Sequence, residues 1–219
     1  MRWTLALILA LVLSACGSST PSAWEGYQQA EAVPGQGLGD LRLGSERLGS
    51  MVDQFGIERV GGWFADEESG IELIYTSVGL HFMFPMEGDC AQATRHLGHR
   101  VIREMYQGSE FLARYPACRD LTLDAILIAS GPRTSWWQGS THRGSRLGDL
   151  WPDVLAQHGT PQRDGGAYLA QAANTSLESL FYDDGMELYF RTLGASGSGD
   201  HDRLLMPLAY VRLFTVQTH

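Results

Sequence analysis

The sequence predicts an α+β protein made of two tandem modules, each a helix over a small antiparallel sheet, with a helical insertion in the first. Three observations carry this. Arg-Leu-Gly followed by Ser or Asp occurs twice, at 42–45 and 146–149. A helical apolar spacing stopped by glycine follows each copy, ending at Gly56 and Gly159. A glycine-turn hairpin comes next in both halves, at Gly79 and Gly185. The same order of signals twice in one chain is the mark of an internal duplication.

The chain opens with Arg2 and an apolar run from Trp3 to Leu13, closed by Ser14-Ala15-Cys16. A positive start, a short apolar core and small residues are the layout of a secretion signal, too short to span a bilayer. Leu13-Ser14-Ala15-Cys16 resembles the lipobox of bacterial lipoproteins. That resemblance implies cleavage before Cys16, acylation of Cys16 and a membrane held through that lipid. Gly17 stands where the family's inner-membrane retention signal has aspartate, which implies the periplasmic face of the outer membrane. On this basis residues 1–15 are signal. Residues 16–36, rich in Gly, Ser, Pro, Ala and Gln, are expected to be a flexible tether.

The first module is expected over 37–131. A strand from Leu38 to Leu43 leads into Ser45, a helix N-cap by its short side-chain oxygen. Leu48, Met51, Val52 and Phe55 then line one helical face. Leu73-Ile74-Tyr75 and Gly79 to Phe84 form the hairpin, whose glycine supplies a positive φ. Leu123 to Ala129 closes the module. Between them lies an insertion, 85–122, with a helix expected from Ala91 to Tyr106 on the stripe Leu97, Val101, Ile102 and Met105.

The second module is expected over 132–219. A strand from Trp136 to Arg146, broken near Gly139, leads to Asp149 as N-cap. Leu150, Trp151, Val154 and Leu155 make the helical face. Leu180-Phe181-Tyr182 and Gly185 to Phe190 form the hairpin. Leu208 to Val216 closes it, with Tyr210, Arg212 and Phe214 alternating against Val211, Leu213 and Thr215. Asp164 to Ser176, matching Arg59 to Gly70, and Leu193 to Arg203 are expected to be loops.

This arrangement of capped helix, glycine stop, tyrosine and glycine-turn hairpin resembles the modules of the SmpA/OmlA-type outer-membrane lipoproteins. Tandem copies of a similar module occur in the β-lactamase inhibitory protein. The resemblance covers about 42–84 and 146–190 and implies protein binding rather than catalysis. It supplies no functional residue to carry across, and the SmpA type has one module where this chain has two.

Composition narrows the function further. Of 219 residues, 44% are hydrophobic, enough for a packed core. The net charge of −9 disfavours nucleic acid as a partner. All 16 basic residues are arginine. With Cys16 acylated, Cys90 and Cys118 remain, and an even pair in an oxidising compartment points to a disulfide worth roughly 3 kcal/mol. A metal or redox pair is the competing assignment, and there is no CxxC spacing to favour it.

The search for chemistry returns weak candidates. His96 and His99 could share a helix face, but Arg95, Arg100 and Arg103 surround them and compete with a metal. Asp200-His201-Asp202 falls in a Gly/Ser loop. Asp183-Asp184-Gly185 lacks the alternating ligands of a calcium loop. There is no Gly-x-Ser-x-Gly elbow and no phosphate-binding loop with lysine. His81 and Glu187 occupy matched strand positions and are expected at the surface. No catalytic residue, metal site or cofactor is assigned. Trp136 and Trp137, adjacent on an expected strand, would point to opposite faces, leaving one free to anchor a partner. The function expected is non-catalytic binding of another envelope protein. The alternatives are an inhibitor of a periplasmic enzyme, or a hydrolase whose site assembles only in three dimensions.

Overall fold

A computed structural model describes residues 22–65, 68–95, 108–130, 136–165, 177–191 and 205–216. Cys16, His96, His99 and Asp200 to Asp202 lie outside the described residues. So do most of the expected insertion helix and of the loops after Gly165 and Arg191.

Most strands join one eight-stranded antiparallel sheet. The first module supplies β4 (Arg59–Ala65), β5 (Glu68–Tyr75), β6 (Leu80–Pro85) and β7 (Ala125–Ala129). The second supplies β8 (Arg163–Gly165), β9 (Leu177–Tyr182), β10 (Met186–Arg191) and β11 (Leu208–Phe214). Spatial order is β4-β5-β6-β7-β11-β10-β9-β8. The closing strands β7 and β11 therefore pair antiparallel at the centre, with Ile128 opposite Val211 and Ile126 opposite Leu213. The two modules form a single sheet about a local two-fold axis, where the sequence suggested two small ones.

Each half carries one helix before its strands: α1 (Leu48–Phe55) and α4 (Trp151–His158). The duplication is legible atom by atom. Tyr75 donates its hydroxyl to the Gly56 carbonyl at 2.7 Å, and Tyr182 donates to Gly159 at 3.3 Å. Both glycines close their helices at positive φ. Ala129 N–H donates to the Gly79 carbonyl at 2.8 Å, and Phe214 N–H to Gly185 at 2.9 Å. Glu58 accepts from Ser77 in the first hairpin turn, and Gln162 accepts from the Asp183 N–H in the second.

The helix starts differ from expectation. The N-cap residues are Arg47 and Leu150, and neither makes a side-chain cap. Ser45 instead donates to the Arg42 carbonyl, and the Asp149 carboxylate accepts from the Arg146 N–H. The free first-turn N–H groups are satisfied by the chain running into each closing strand: Leu48 bonds Leu121 O at 2.9 Å, and Trp151 bonds Met206 O at 3.0 Å. Arg59 to Gly70, expected as a loop, forms the β4–β5 hairpin, and β8 begins the matching segment. The segment 136–146 is not a strand beyond an isolated bridge at Thr141.

Residues 22–36, assigned to the tether by composition, are structured. A 3-10 turn, Ser22–Tyr27, buries Trp24, which stacks on Phe55 at 4.0 Å and on Phe82 at 5.9 Å. The chain then crosses to the second module. Gln28 O accepts from Gln138 N at 2.7 Å, and Ala32 bonds Ser140 and His142 at 2.9 and 3.0 Å. It ends in a small sheet of β1 (Ala32–Val33), β2 (Gly37–Leu38) and β3 (Leu41–Arg42). One strap thus plugs the first module's core and clamps the second.

The insertion contributes α2 (Gly88–Thr94), α3 (Gly108–Arg114) and a 3-10 turn, Pro116–Asp120. Cys90 on α2 and Cys118 in the turn form a disulfide, and both are buried. Arg119 beside it pairs with Asp53 of α1 at 2.6 Å, so the bracketed insertion is held against the first module.

Candidate functional site

Strand alternation sorts the sheet into two faces. Leu73, Leu80, Phe82, Ile126, Ile128, Val211, Leu213 and Leu188 point to the helices and form one buried cluster with them. The described helices pack on this side. The opposite face, called the open face because no described helix packs on it, is the candidate site, although Ser179, Tyr189 and Leu127 on it are buried.

Register places one row of residues across its full width: Arg59, Ile74, His81, Leu127, Arg212, Glu187, Phe181 and Arg163. Eight strands make this row about 33 Å wide. The local two-fold relates its ends. Arg59 matches Arg163, Ile74 matches Phe181, His81 matches Glu187, and Leu127 matches Arg212.

The matched pair at its heart has diverged. In the first module His81 Nδ1 meets Glu72 Oε1 at 2.7 Å, both half-buried. In the second, Glu187 is only 9% exposed, which corrects its assignment to the surface. A buried carboxylate must be compensated, and three neighbours do so. Ser179 Oγ donates to it at 2.9 Å, the Tyr189 hydroxyl at 2.6 Å and Arg212 at 3.4 Å. Burial, and then the charge of Glu187, pushes the Tyr189 phenol well above its ordinary value. Ser179 is itself 1% exposed. The cluster holds a carboxylate in place and turns no nucleophile outward.

Aromatic rings flank the cluster. Phe181 and Phe214 stack at 5.4 Å, and Tyr210 meets Tyr189 edge-on at 6.5 Å. Arg163 lies over the Phe181 ring at 4.1 Å, and Arg212 lies 5.5 Å from Phe214. The sequence showed Tyr210, Arg212 and Phe214 on one strand face. It did not connect them to Phe181, Glu187 and Arg163, which lie on other strands.

The two tryptophans are placed elsewhere. Trp137 is 2% exposed and donates its indole N–H to the Ala30 carbonyl at 2.9 Å, so it is a core residue fixing the strap. Trp136 is half-buried and packs against the same helix-side cluster. Trp137 is thus a core residue and Trp136 a half-buried one at its margin, and neither lies on the open face.

A second polar cluster sits at the end of α4. His158 is 3% exposed and its Nε2 meets Thr141 Oγ1 at 3.0 Å. The His142 ring stands 5.7 Å from it, and Arg143 donates to the His158 carbonyl at 2.5 Å. Burial, then His142 and Arg143, lowers the His158 pKa to about 4. Among the described residues no group of three or more His, Cys, Asp or Glu is placed to hold a metal ion.

No family model matches the chain, and no curated protein matches it. Among solved structures, it has a distant likeness to an extracellular protein containing a SCP domain from Bacillus anthracis str. Ames. The identity is 10% and the TM-score 0.33, over 79% of this chain, which spans 44% of that protein's length.

Proposed function

We propose that this is a lipid-anchored envelope protein that binds another protein through the open face of its sheet and performs no chemistry there. The observation that supports this most is the continuous row from Arg59 to Arg163, with rings and guanidinium groups beside a fixed carboxylate. Such a face offers a few aromatic and arginine anchors within a broad contact area, the usual distribution of energy in protein interfaces. The Ser179–Glu187 contact is oriented for support rather than for nucleophilic attack.

The lipobox resemblance supports a position at the periplasmic side of the outer membrane, and the Cys90–Cys118 bond fits an oxidising compartment. No described helix is long and apolar enough to cross a membrane. Five residues separate Cys16 from Ser22. An acylated Cys16 would therefore hold the strap within about 20 Å of the bilayer, and the partner would be one that meets the protein at the membrane. An inhibitor of an envelope enzyme would use the same face, as tandem modules fused into one sheet suggest.

Photo-crosslinking in intact cells tests the surface. A crosslinker at Phe181 or Tyr210 should give a discrete protein adduct, and one at Gln54 or Gln157 on the helices should not. Adducts from the helix positions alone, or turnover of an envelope substrate by purified protein, would overturn the proposal. Fatty-acid labelling tests the anchor: Cys16→Ala should lose the label, and equal label in both proteins would remove the lipid from the account.

A further inference from the structure

The chain carries a net charge of −9, yet the open face of its second module is locally basic. On β8 to β11, alternation puts Arg163, Arg191 and Arg212 on this face against one carboxylate, Glu187. That carboxylate is already engaged by Ser179, Tyr189 and Arg212.

The arginines have donors to spare. Arg163 is exposed, with its guanidinium carbon 4.1 Å from the centre of the Phe181 ring and no ion pair among the described residues. The Nε atoms of Arg212 and Arg191 are buried without a hydrogen-bond partner among them. These Nε atoms are shielded from solvent, so an incoming carboxylate would meet Arg163, which is exposed, and the accessible third of the Arg212 side chain. Arg163 and Arg212 flank the stacked Phe181–Phe214 pair. A guanidinium offers a planar fork that matches the two oxygens of a carboxylate. Apolar rings beside it lower the local dielectric and strengthen the contact.

We propose that this patch receives an aspartate or glutamate side chain from an acidic segment of the protein partner, gripped by Arg163 and Arg212 beside the Phe181–Phe214 pair. The proposal rests on the binding role given above and names the chemistry of the partner. Arg163 is exposed and Arg212 half-buried beside Glu187, and guanidinium groups fixed against a stacked ring pair suit one inserted carboxylate, whereas an anionic membrane is met by clusters of several cations.

Titration of the mature protein with blocked pentapeptides, followed by amide shifts on β9 and β11, tests it. The peptide EEFEE should bind about tenfold more tightly than QQFQQ, and KKFKK should not bind. Arg163→Gln should weaken EEFEE by about tenfold while leaving shifts in the first module unchanged, and Arg163→Lys should restore part of the loss. Equal affinity for EEFEE and QQFQQ, preference for KKFKK, absence of binding by all three, or indifference to Arg163→Gln would each overturn it. Binding to phosphatidylglycerol vesicles in place of EEFEE, lost in Arg163→Gln, would overturn it in favour of a lipid headgroup. The two proposals fail separately. Crosslinked adducts at Phe181 with no peptide preference would remove the acidic segment and leave the binding role. Absence of adducts from every open-face position would remove the binding role itself.

Discussion

Replacing His158 with phenylalanine should make the protein more resistant to acid. His158 takes the place in α4 that Phe55 holds in α1, and each ring faces the matched tyrosine, His158 at 5.4 Å from Tyr182 and Phe55 at 6.4 Å from Tyr75. A histidine buried in an aromatic core position is shielded from solvent, which disfavours its charged form. Its Nδ1 has no partner among the described residues. The groups around it are Thr141, Tyr182, His142 and Arg143, with Asp184 and Glu31 acting on His142. Burial first, then the electrostatic influence of His142 and Arg143, moves its pKa from 6.5 to about 4. Above the unfolded value the imidazole is neutral folded and unfolded, and adds no pH dependence. Below it the unfolded chain binds a proton that the folded protein refuses, so stability falls with decreasing pH until the folded group titrates. A window about 2.5 pH units wide corresponds to a loss of roughly 3 kcal/mol. Urea unfolding of wild type and His158→Phe, from about pH 7.5 to about pH 4, isolates the effect as a difference curve, because every other titrating group is shared. The variant forfeits the Thr141 contact, worth about 1 kcal/mol at neutral pH. Its advantage should then grow by about 1.4 kcal/mol per pH unit on acidification. A flat difference curve would refute the argument.

Glu187→Ala should destabilise by roughly 3 kcal/mol, since it strands the Ser179 and Tyr189 hydroxyls and leaves Arg212 uncompensated; Glu187→Gln, which keeps an acceptor, should cost less, and chemical denaturation separates them. Gly79→Ala and Gly185→Ala should each cost more than about 1 kcal/mol. Both glycines have positive φ, and an added Cβ would lie 2.6 Å from Ala129 O in one case and 2.7 Å from Phe214 O in the other. Gly185→Ala should cost the more, since its Cβ would also lie 2.5 Å from Gly35 N, and a loss in only one of the two variants would count against their structural equivalence. Trp137→Ala should lower stability by about 3–5 kcal/mol and loosen the strap, read as faster amide exchange at Ala32, whereas Trp136→Ala should cost clearly less.

What the sequence disclosed depended on how local the governing physics was. Gly56, Gly79, Gly159 and Gly185 mark real helix ends and turns because positive φ is a property of one residue and its neighbours. The period-two pattern of β11 was readable for the same reason. The helix starts were displaced because Ser45 and Asp149 bond within their own turns, while the first helical N–H groups look to Leu121 and Met206, far away in the chain. Residues 22–36 carry the composition of a linker, and only Trp24 in the first core and Ala32 against the second module give them a fixed path. The β4 edge, with two adjacent glycines, takes its form from pairing with β5. Glu187 looked like a surface strand residue because nothing in its own strand apart from Tyr189 announces the Ser179 and Arg212 that cover it.

The two faces of the sheet have diverged to different degrees, and this bears on function. On the helix side the matched positions retain their physical kind, Tyr75 with Tyr182, Leu73 with Leu180, Ile126 with Val211 or Leu213 across the axis, because close packing tolerates little change of volume or polarity. His158 in place of Phe55 is a departure, and the acid sensitivity derived above is its cost. On the open face almost every matched pair differs in kind: Ile74 with Phe181, His81 with Glu187, Leu127 with Arg212. Packing does not force such changes, and several are expensive, since a buried carboxylate needed three donors to be accommodated. A face whose end residues Arg59 and Arg163 agree but whose centre turns toward arginine, phenolic and phenyl groups in the second module is asymmetric in chemistry over a symmetric backbone. Under the proposed binding role, an asymmetric partner would dock across the axis, with the second module supplying the charged anchor and the first the apolar shoulder of Ile74 and Met83.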